Sequence, residues 1–282
     1  MNATNSTGFS VLILTRNEEA NLSDCLKSVD RCNDVVVFDS FSTDRTVEIA
    51  KAAGARVVQR RFDNYANQRN HALRDVKFTH PWIYLMDADE RVPEDLRDEM
   101  LAAVRNAPDD VAVFRLRRKD MFMGRWLRRS SGYPTWASRL VRVGRVWVER
   151  EINEELHTDG KVAKLKGHFI HHPFNKGIAF WLERHNRYST MEAEALVKET
   201  RMPMRWSGIC NRDPVVRRKA LKQLAYRLPC RPALVFCYLY FVRMGFLDGE
   251  PGWHYCHLRA IYEYMIDLKV QELRRRTRNL PV

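Results

Sequence analysis

Four short apolar runs lead the chain: Phe9–Leu14, Val35–Phe38, Ala55–Val58 and Trp82–Met86. Between them lie Glu18–Asp30, Thr43–Ala53 and Tyr65–Val76, which read as helices; in the first, Leu22, Cys25, Leu26 and Val29 recur at helical spacing. Asn17 is placed to cap the first helix and Ser42 or Thr43 the second, and Gly54 lies where the second must stop. Buried strands alternating with amphipathic helices specify an α/β fold with a mostly parallel sheet, because parallel neighbours need a crossover that a helix supplies. Such sheets bind ligands beyond the carboxyl ends of their strands. Three polar, carboxylate-bearing segments fall at those points: Thr15-Arg16-Asn17-Glu18, Asp39 through Asp44, and Asp87-Ala88-Asp89-Glu90.

Two of the segments suit a nucleotide. Two carboxylates at i and i+2, as in Asp87 and Asp89, can hold a hard divalent cation that shares a diphosphate with its substrate. Asp39, ending a strand, can accept the N–H of a nucleobase, and the hydroxyls that follow it sit before a helix N-terminus that favours phosphate or ribose. The blander readings are a solvated acidic turn at Asp87–Glu90 and helix caps at Ser42 and Thr43.

Taken together, the four segments Val11–Glu19 (VLILTRNEE), Val36–Thr46 (VVFDSFSTDRT), Gln68–Ala72 (QRNHA) and Leu85–Arg91 (LMDADER) resemble, in order and spacing, family 2 glycosyltransferases of the GT-A fold. The resemblance continues more loosely through Ile152–Leu156, Lys164–His171, Arg184–Ser189 and Gly245–Gly249. Within the family it points to the bacterial lipopolysaccharide-core β-1,4-glucosyltransferases and related exopolysaccharide enzymes. It implies inverting transfer of a sugar, a UDP-linked hexose above all, with Mg²⁺ or Mn²⁺ as cofactor. Thr15, Arg16, Asn17, Glu18 and Asp39 would line the nucleoside pocket, Arg69 would reach that pocket or the diphosphate, Asp87 would face the ribose and Asp89 the metal. Ser40 and Phe41 depart from the family, where Asp-Gly is more usual.

Inversion needs a base that takes the proton of the acceptor hydroxyl. Glu151, Glu154 and Glu155 are the candidates; the subgroup's His-Glu-Leu pattern, here Asn153-Glu154, implies Glu154. Of the clustered His168, His171 and His172, the same pattern implies His171 as a further metal or diphosphate contact. No cysteine or acidic partner stands at zinc-ligand spacing around them. His254 and His257 read as packing.

The remainder of the chain reads differently. Val111–Leu116, Arg139–Val143 and Lys164–Ile170 are strand-like, and from Ile178 onward Trp and Tyr interleave with Arg at helical spacing. The expected organisation is a GT-A catalytic domain over 1–177, with a donor half over about 1–110 and an acceptor half over 111–177, followed by a helical, aromatic- and Arg-rich region over 178–282. Lys plus Arg exceed Asp plus Glu by 48 to 35, a net charge of +13, which calls for an anionic partner. Arg205 to Arg231 precede the apolar run Ala233–Val242, which is shorter than the roughly 20 residues of a membrane span. Cations beside an aromatic run fit an interfacial helix, so a cytoplasmic enzyme peripheral to an anionic inner leaflet is expected, acting on a glycolipid or oligosaccharide acceptor. No signal peptide is read at the N-terminus, and the six cysteines are expected as reduced, mostly buried thiols. Two rivals stand beside this reading. A sugar-phosphate nucleotidyltransferase would want a Gly-rich loop after the first strand, and Thr15–Asn21 has no glycine. A nucleic-acid-binding protein would carry one of the usual modules, and none is found.

Overall fold

The computed structural model of the chain describes residues 8–149, 155–200, 217 and 230–282. These group into two units: one within Met1–Trp126 together with Tyr133–Lys176, the other Leu127–Gly132 together with the described part of Gly177–Val282.

The first unit is built on a mixed sheet. β1 (Ser10–Thr15), β2 (Val35–Asp39), β3 (Arg56–Gln59) and β4 (Trp82–Asp87) are the four runs read from the sequence. They pair in parallel, in the order β3-β2-β1-β4. The sheet continues through β8 (Thr135–Arg142), β6 (Val111–Phe122), β11 (Lys161–His171) and β5 (Glu90–Arg91). β8 runs antiparallel to both β4 and β6, so β6 and β11 point the same way as β4. β7 (Arg125–Trp126) folds back on the end of β6, and β9 (Val146–Glu149) with β10 (Glu155–Thr158) forms a separate two-stranded ribbon.

Both faces of the sheet are covered where its strands are apolar. On one face α1 (Glu19–Lys27), α2 (Thr46–Ala52) and α4 (Glu94–Arg105) pack Leu22, Cys25, Ala50, Leu96 and Met100 against Val11, Ile13, Tyr84, Leu116 and Phe169. On the other α3 (Tyr65–Asp75) and the β9–β10 ribbon pack Ala72, Val146 and Leu156 near Leu12, Val36, Ile83 and Val113. Each fully buried Val, Leu, Ile, Phe or Met among them contributes on the order of 1.5–3 kcal/mol by leaving water. α2 ends at a left-handed Gly54, φ +76°, as its position promised.

The second unit is helical. α5 (Gly177–Thr200) packs on α7 (Glu250–Arg276), and α6 (Arg231–Cys237) runs through a π turn (Tyr238–Val242) and a 3₁₀ turn (Gly245–Asp248) into α7. Lys269 Nζ grips α5 through Asn186 O, Ser189 Oγ and Thr190 Oγ1, at 2.5 to 2.8 Å. The Gly245–Gly252 stretch (GFLDGEPG) is a packing device. Asp248 accepts backbone N–H groups of Arg128, Arg129 and Ser130 and the Ser130 hydroxyl. A Cβ on Gly252 would lie 2.3 Å from Gly245 O. His257 does pack, against Phe236 and Trp253, while His254 is exposed beside Glu250. Cys25 and Cys256 are buried, but Cys230 and Cys237 are exposed, so the expectation of buried thiols holds only in part.

Candidate active site

Register alone brings the three polar segments together. Thr15 lies opposite Asp39 and Leu14 opposite Asp87. β1, β2 and β4 therefore stop at one level, and the loops that follow them share one edge of the sheet.

The first two loops are laced to each other. Thr15 Oγ1 donates to Asp39 Oδ1 at 2.9 Å, and Ser42 Oγ to the same oxygen at 2.5 Å. Ser42 N and Gln59 Nε2 donate to Oδ2 at 2.9 and 3.0 Å. A carboxylate has about four acceptor sites, so the fully buried Asp39 is saturated. It holds the Ser40–Thr43 loop to β1, and it meets a nucleobase only if one of these donors lets go. Asn17, at φ +55°, donates its N–H to Ser42 Oγ and accepts from Thr43 N, both at 2.8 Å. Neither it nor Ser42 and Thr43 cap a helix as the sequence suggested: Glu18 and Arg45 occupy the N-cap positions, and the polar side chains bridge the loops instead. Phe41 has φ +54° and is exposed. The left-handed region costs a non-glycine residue roughly 1–2 kcal/mol, which is the physical reason that glycine is usual there. Arg16 is exposed, its guanidinium 6.0 Å from the Phe62 ring centre.

Glu18 is partly buried between Asn21 Nδ2, at 2.9 Å, and Lys176 Nζ, at 2.5 Å. Burial raises its pKa against the pull of those two groups.

At the end of β4 the carboxylates are divided by their partners. Asp87 receives Arg139 Nη2 at 2.7 Å and lies 3.5 Å from Arg69 Nη2 on α3. Burial would push its carboxyl up, but the two guanidinium groups outweigh it and hold it well below the usual carboxylate range. Glu90 is wholly buried, pairs with the same Arg139 and accepts the Asp87 N–H; burial pushes it up to about 7. Asp89 turns the other way, its Oδ2 3.4 Å from His171 Nε2 on β11. His171 Nδ1 is 2.6 Å from Asp120 Oδ1 on β6, and Arg118 Nε holds Asp120 at 2.9 Å. Burial opposes charge on His171, but Asp89 and Asp120 prevail and raise it to about 9.

The donor set of Asp89 and His171 fits a divalent cation. One hard oxygen faces one ring nitrogen, which becomes a donor when a cation displaces its proton, and Asp120 on the far ring nitrogen orients the histidine as carboxylates do behind metal-bound histidines. Among the described residues no three His, Cys, Asp or Glu side chains gather as a complete cation site. Two protein donors leave positions for phosphate oxygens and water, the mode that suits Mg²⁺ and Mn²⁺. His168 does not join them: it stacks on Trp126. His172 contributes its backbone N–H to Asp89 O.

Glu151 and Glu154 lie outside the described residues, as does the side chain of Glu155. Arg139, Asp120 and Lys176 are the site residues that sequence reasoning missed. For two of them a signal existed: Arg139 and Asp120 are charged residues inside strands, where a charge must find a partner to stay buried.

The family model for glycosyl transferase family 2 matches residues 10–178, more than half of the chain. The chain belongs to that family. It is a glycosyltransferase with a GT-A fold, and the rival readings as a nucleotidyltransferase or a nucleic-acid-binding protein fall with that match. Among curated relatives, the lipopolysaccharide core biosynthesis glycosyltransferase LpsC of Rhizobium meliloti is 26% identical over 93% of this chain and 92% of its own length. An uncharacterized glycosyltransferase of Rickettsia typhi is also 26% identical, over 96% of this chain and 89% of its own. Among solved structures, glucosyl-3-phosphoglycerate synthase of Mycobacterium tuberculosis, in complex with Mn²⁺ and UDP-glucose, is 20% identical over 40% of this chain and 44% of that one, with a TM-score of 0.34.

Proposed function

We propose that this family 2 enzyme moves a hexose, with inversion, from a UDP-sugar to a bacterial surface-glycan acceptor such as lipopolysaccharide core or a lipid-linked exopolysaccharide. The observation that carries the reading is the opposed pair Asp89 and His171, backed by Asp120, at the sheet edge where the Thr15–Glu18 and Asp39–Asp44 loops also end. The likeness to LpsC along almost the whole chain supports the acceptor class.

The donor occupies residues 1–110 and the acceptor 111–177. Thr15, Arg16, Asn17, Glu18 and Asp39 shape the nucleoside pocket, Arg69 reaches the diphosphate, and Asp87 faces the ribose, its charge kept by Arg69 and Arg139. Asp89 and His171 would hold Mg²⁺ or Mn²⁺, which when bound would neutralise charge on the departing diphosphate. Glu154 takes the proton of the acceptor hydroxyl as its oxygen bonds to the anomeric carbon and the bond to the diphosphate breaks.

The second unit supports work at a membrane surface. No helix among the described residues is long and apolar enough to cross a membrane. Leu234, Tyr238, Phe241, Val242, Leu247 and Trp253 are nevertheless all exposed, the mixture of aliphatic and aromatic residues that interfacial helices bury.

The test is ligand-dependent melting beside turnover. UDP with Mn²⁺ should stabilise the protein and UDP with EDTA should do so less. Asp89→Asn should lose that difference and nearly all transfer, and Glu154→Gln should keep it while transfer falls about 10²–10⁴-fold. Full transfer in EDTA, or by Glu154→Gln, sinks the respective assignment.

A further inference from the structure

Beyond the apolar covering of α3 and the β9–β10 ribbon, the far part of the sheet carries a row of cations. Arg115, Arg117 and Lys119 alternate along β6 and so share a face. Their partners in register share it too: Ser138 and Trp136 on β8, and Lys164, His168 and Ile170 on β11. The opposite face of the same strands holds Leu116, Asp120, Phe169 and His171, the core and the metal pair.

The cations of this row are held in position. Lys119 Nζ stands 4.9 Å from the Trp126 ring centre, Arg117 Cζ 5.9 Å from that of Tyr133, and Lys164 Nζ 5.0 Å from that of Trp136. Trp126 in turn stacks on His168 and meets Tyr133 edge-on. Such cation–ring contacts contribute about 0.5–1 kcal/mol at exposed sites, enough to bias long side chains toward one geometry.

Among the described residues they lack counter-charge. Elsewhere in this unit Arg118 pairs with Asp120, Arg139 with Asp87 and Glu90, Arg145 with Asp159, and Lys161 with Asp110. Among the described residues no carboxylate pairs with Arg115, Arg117, Lys119 or Lys164. Arg117 Nε is buried with no acceptor. The neighbouring His168 is kept below its ordinary pKa by burial and by Lys119 and Arg117, against the opposing pull of Asp95. Like charges about 7 Å apart along one strand, and closer across strands, repel; an anion laid on them removes that cost.

We propose that this row binds an anionic oligosaccharide, the phosphate- or carboxylate-bearing acceptor glycan of the transfer reaction. The proposal rests on the glycosyltransferase reading. Lys119 immediately precedes Asp120, and β6 runs in the same direction as β4, so the row starts at the edge that carries Asp87 and Asp89 and leads away from it along the strand. That course fits a chain-shaped ligand with one end at the reacting centre.

The experiment titrates the full-length protein with mannopentaose phosphate, hyaluronan tetrasaccharide and neutral maltopentaose, and with a single-stranded DNA dodecamer, by calorimetry at two salt concentrations. At least one anionic saccharide should bind tenfold or more tighter than maltopentaose and weaken with salt; which of the two binds separates phosphate from carboxylate. The double variant Arg117→Ser with Lys119→Ser should lose at least tenfold of that affinity and keep the wild-type stabilisation by UDP with Mn²⁺. Lys164→Ser alone gives a smaller loss and serves if the double variant melts early. Equal affinity for maltopentaose, unchanged affinity in both variants, or tighter binding of the oligonucleotide than of either saccharide overturns the proposal. If UDP with Mn²⁺ fails to stabilise the wild type, the glycosyltransferase assignment of the site fails instead, whatever the saccharides do.

Discussion

Arg139 shows how much one side chain decides at the site. Its guanidinium is the shared partner of Asp87 and of Glu90, which is wholly buried, and its Cζ lies 5.3 Å from the Phe169 ring centre. Removing one member of a buried pair leaves the other charge without compensation, at a cost of about 3–5 kcal/mol. Arg139→Met should therefore lower stability by roughly that amount in urea unfolding, and adding Glu90→Gln should restore part of it. If Arg139→Met unfolds at the wild-type urea concentration, the clamp carries no weight. The family resemblance separates Asp87 from Asp89, but nothing about Asp87-Ala88-Asp89-Glu90 as a string shows which of its carboxylates is paired or buried. In that respect its acidic residues read alike in the sequence, and only the strand that passes beside each makes Asp87 a paired anion, Glu90 an interior one and Asp89 the partner of His171.

At the level of elements, α5 and α7 are joined around His185. Its ring stacks on Trp181 at 3.5 Å, meets Tyr262 of α7 edge-on, and its Nδ1 lies 2.8 Å from Trp181 O. Burial, helped by Arg184 and Arg259, lowers its pKa to about 4. An unfolded histidine titrates near 6.5, so between about pH 4 and 6.5 the unfolded chain binds the proton that the folded one refuses. Stability must rise with pH in that window and fall as the solution is acidified. His185→Phe should flatten this part of the profile, measured by chemical unfolding at pH 7, 6, 5 and 4; equal slopes for variant and wild type refute the burial of a neutral ring. The interleaving of Trp and Tyr with Arg at helical spacing from Ile178 onward marked this segment as a helix. That its histidine is neutral follows from the second helix packed on it, which no local pattern reveals.

For the whole molecule, the charge of +13 and the exposed apolar face of the second unit belong to one prediction. Near an anionic leaflet each cation adds on the order of 1 kcal/mol, and exposed apolar residues of this kind would enter the interface. The protein should float with vesicles containing anionic lipid, bind neutral ones weakly and come off partly at high salt. Phe241 and Val242 are 59% and 69% exposed, so Phe241→Ser with Val242→Ser should keep the circular dichroism spectrum and lose at least fivefold in binding. A folded wild type that ignores anionic vesicles refutes the surface role.

The alternation of strands and helices, the parallel order they imply and the three polar segments at the strand ends were legible in the chain because apolar periodicity and turn residues act locally. So was the family, since its motifs are contiguous. The clamp of Arg139 on Asp87 and Glu90, the support of His171 by Asp120, the saturation of Asp39 and the unpaired row on β6 were not. Each depends on which residues of distant strands fall opposite one another, and a shift of one residue would have turned every side chain to the other face. Register is set by the summed burial of the sheet's two faces, a sum over the whole first unit rather than a property of any segment, and so it was the tertiary structure alone that decided which charges in and beside the strands are paired with one another and which have no carboxylate partner among the described residues.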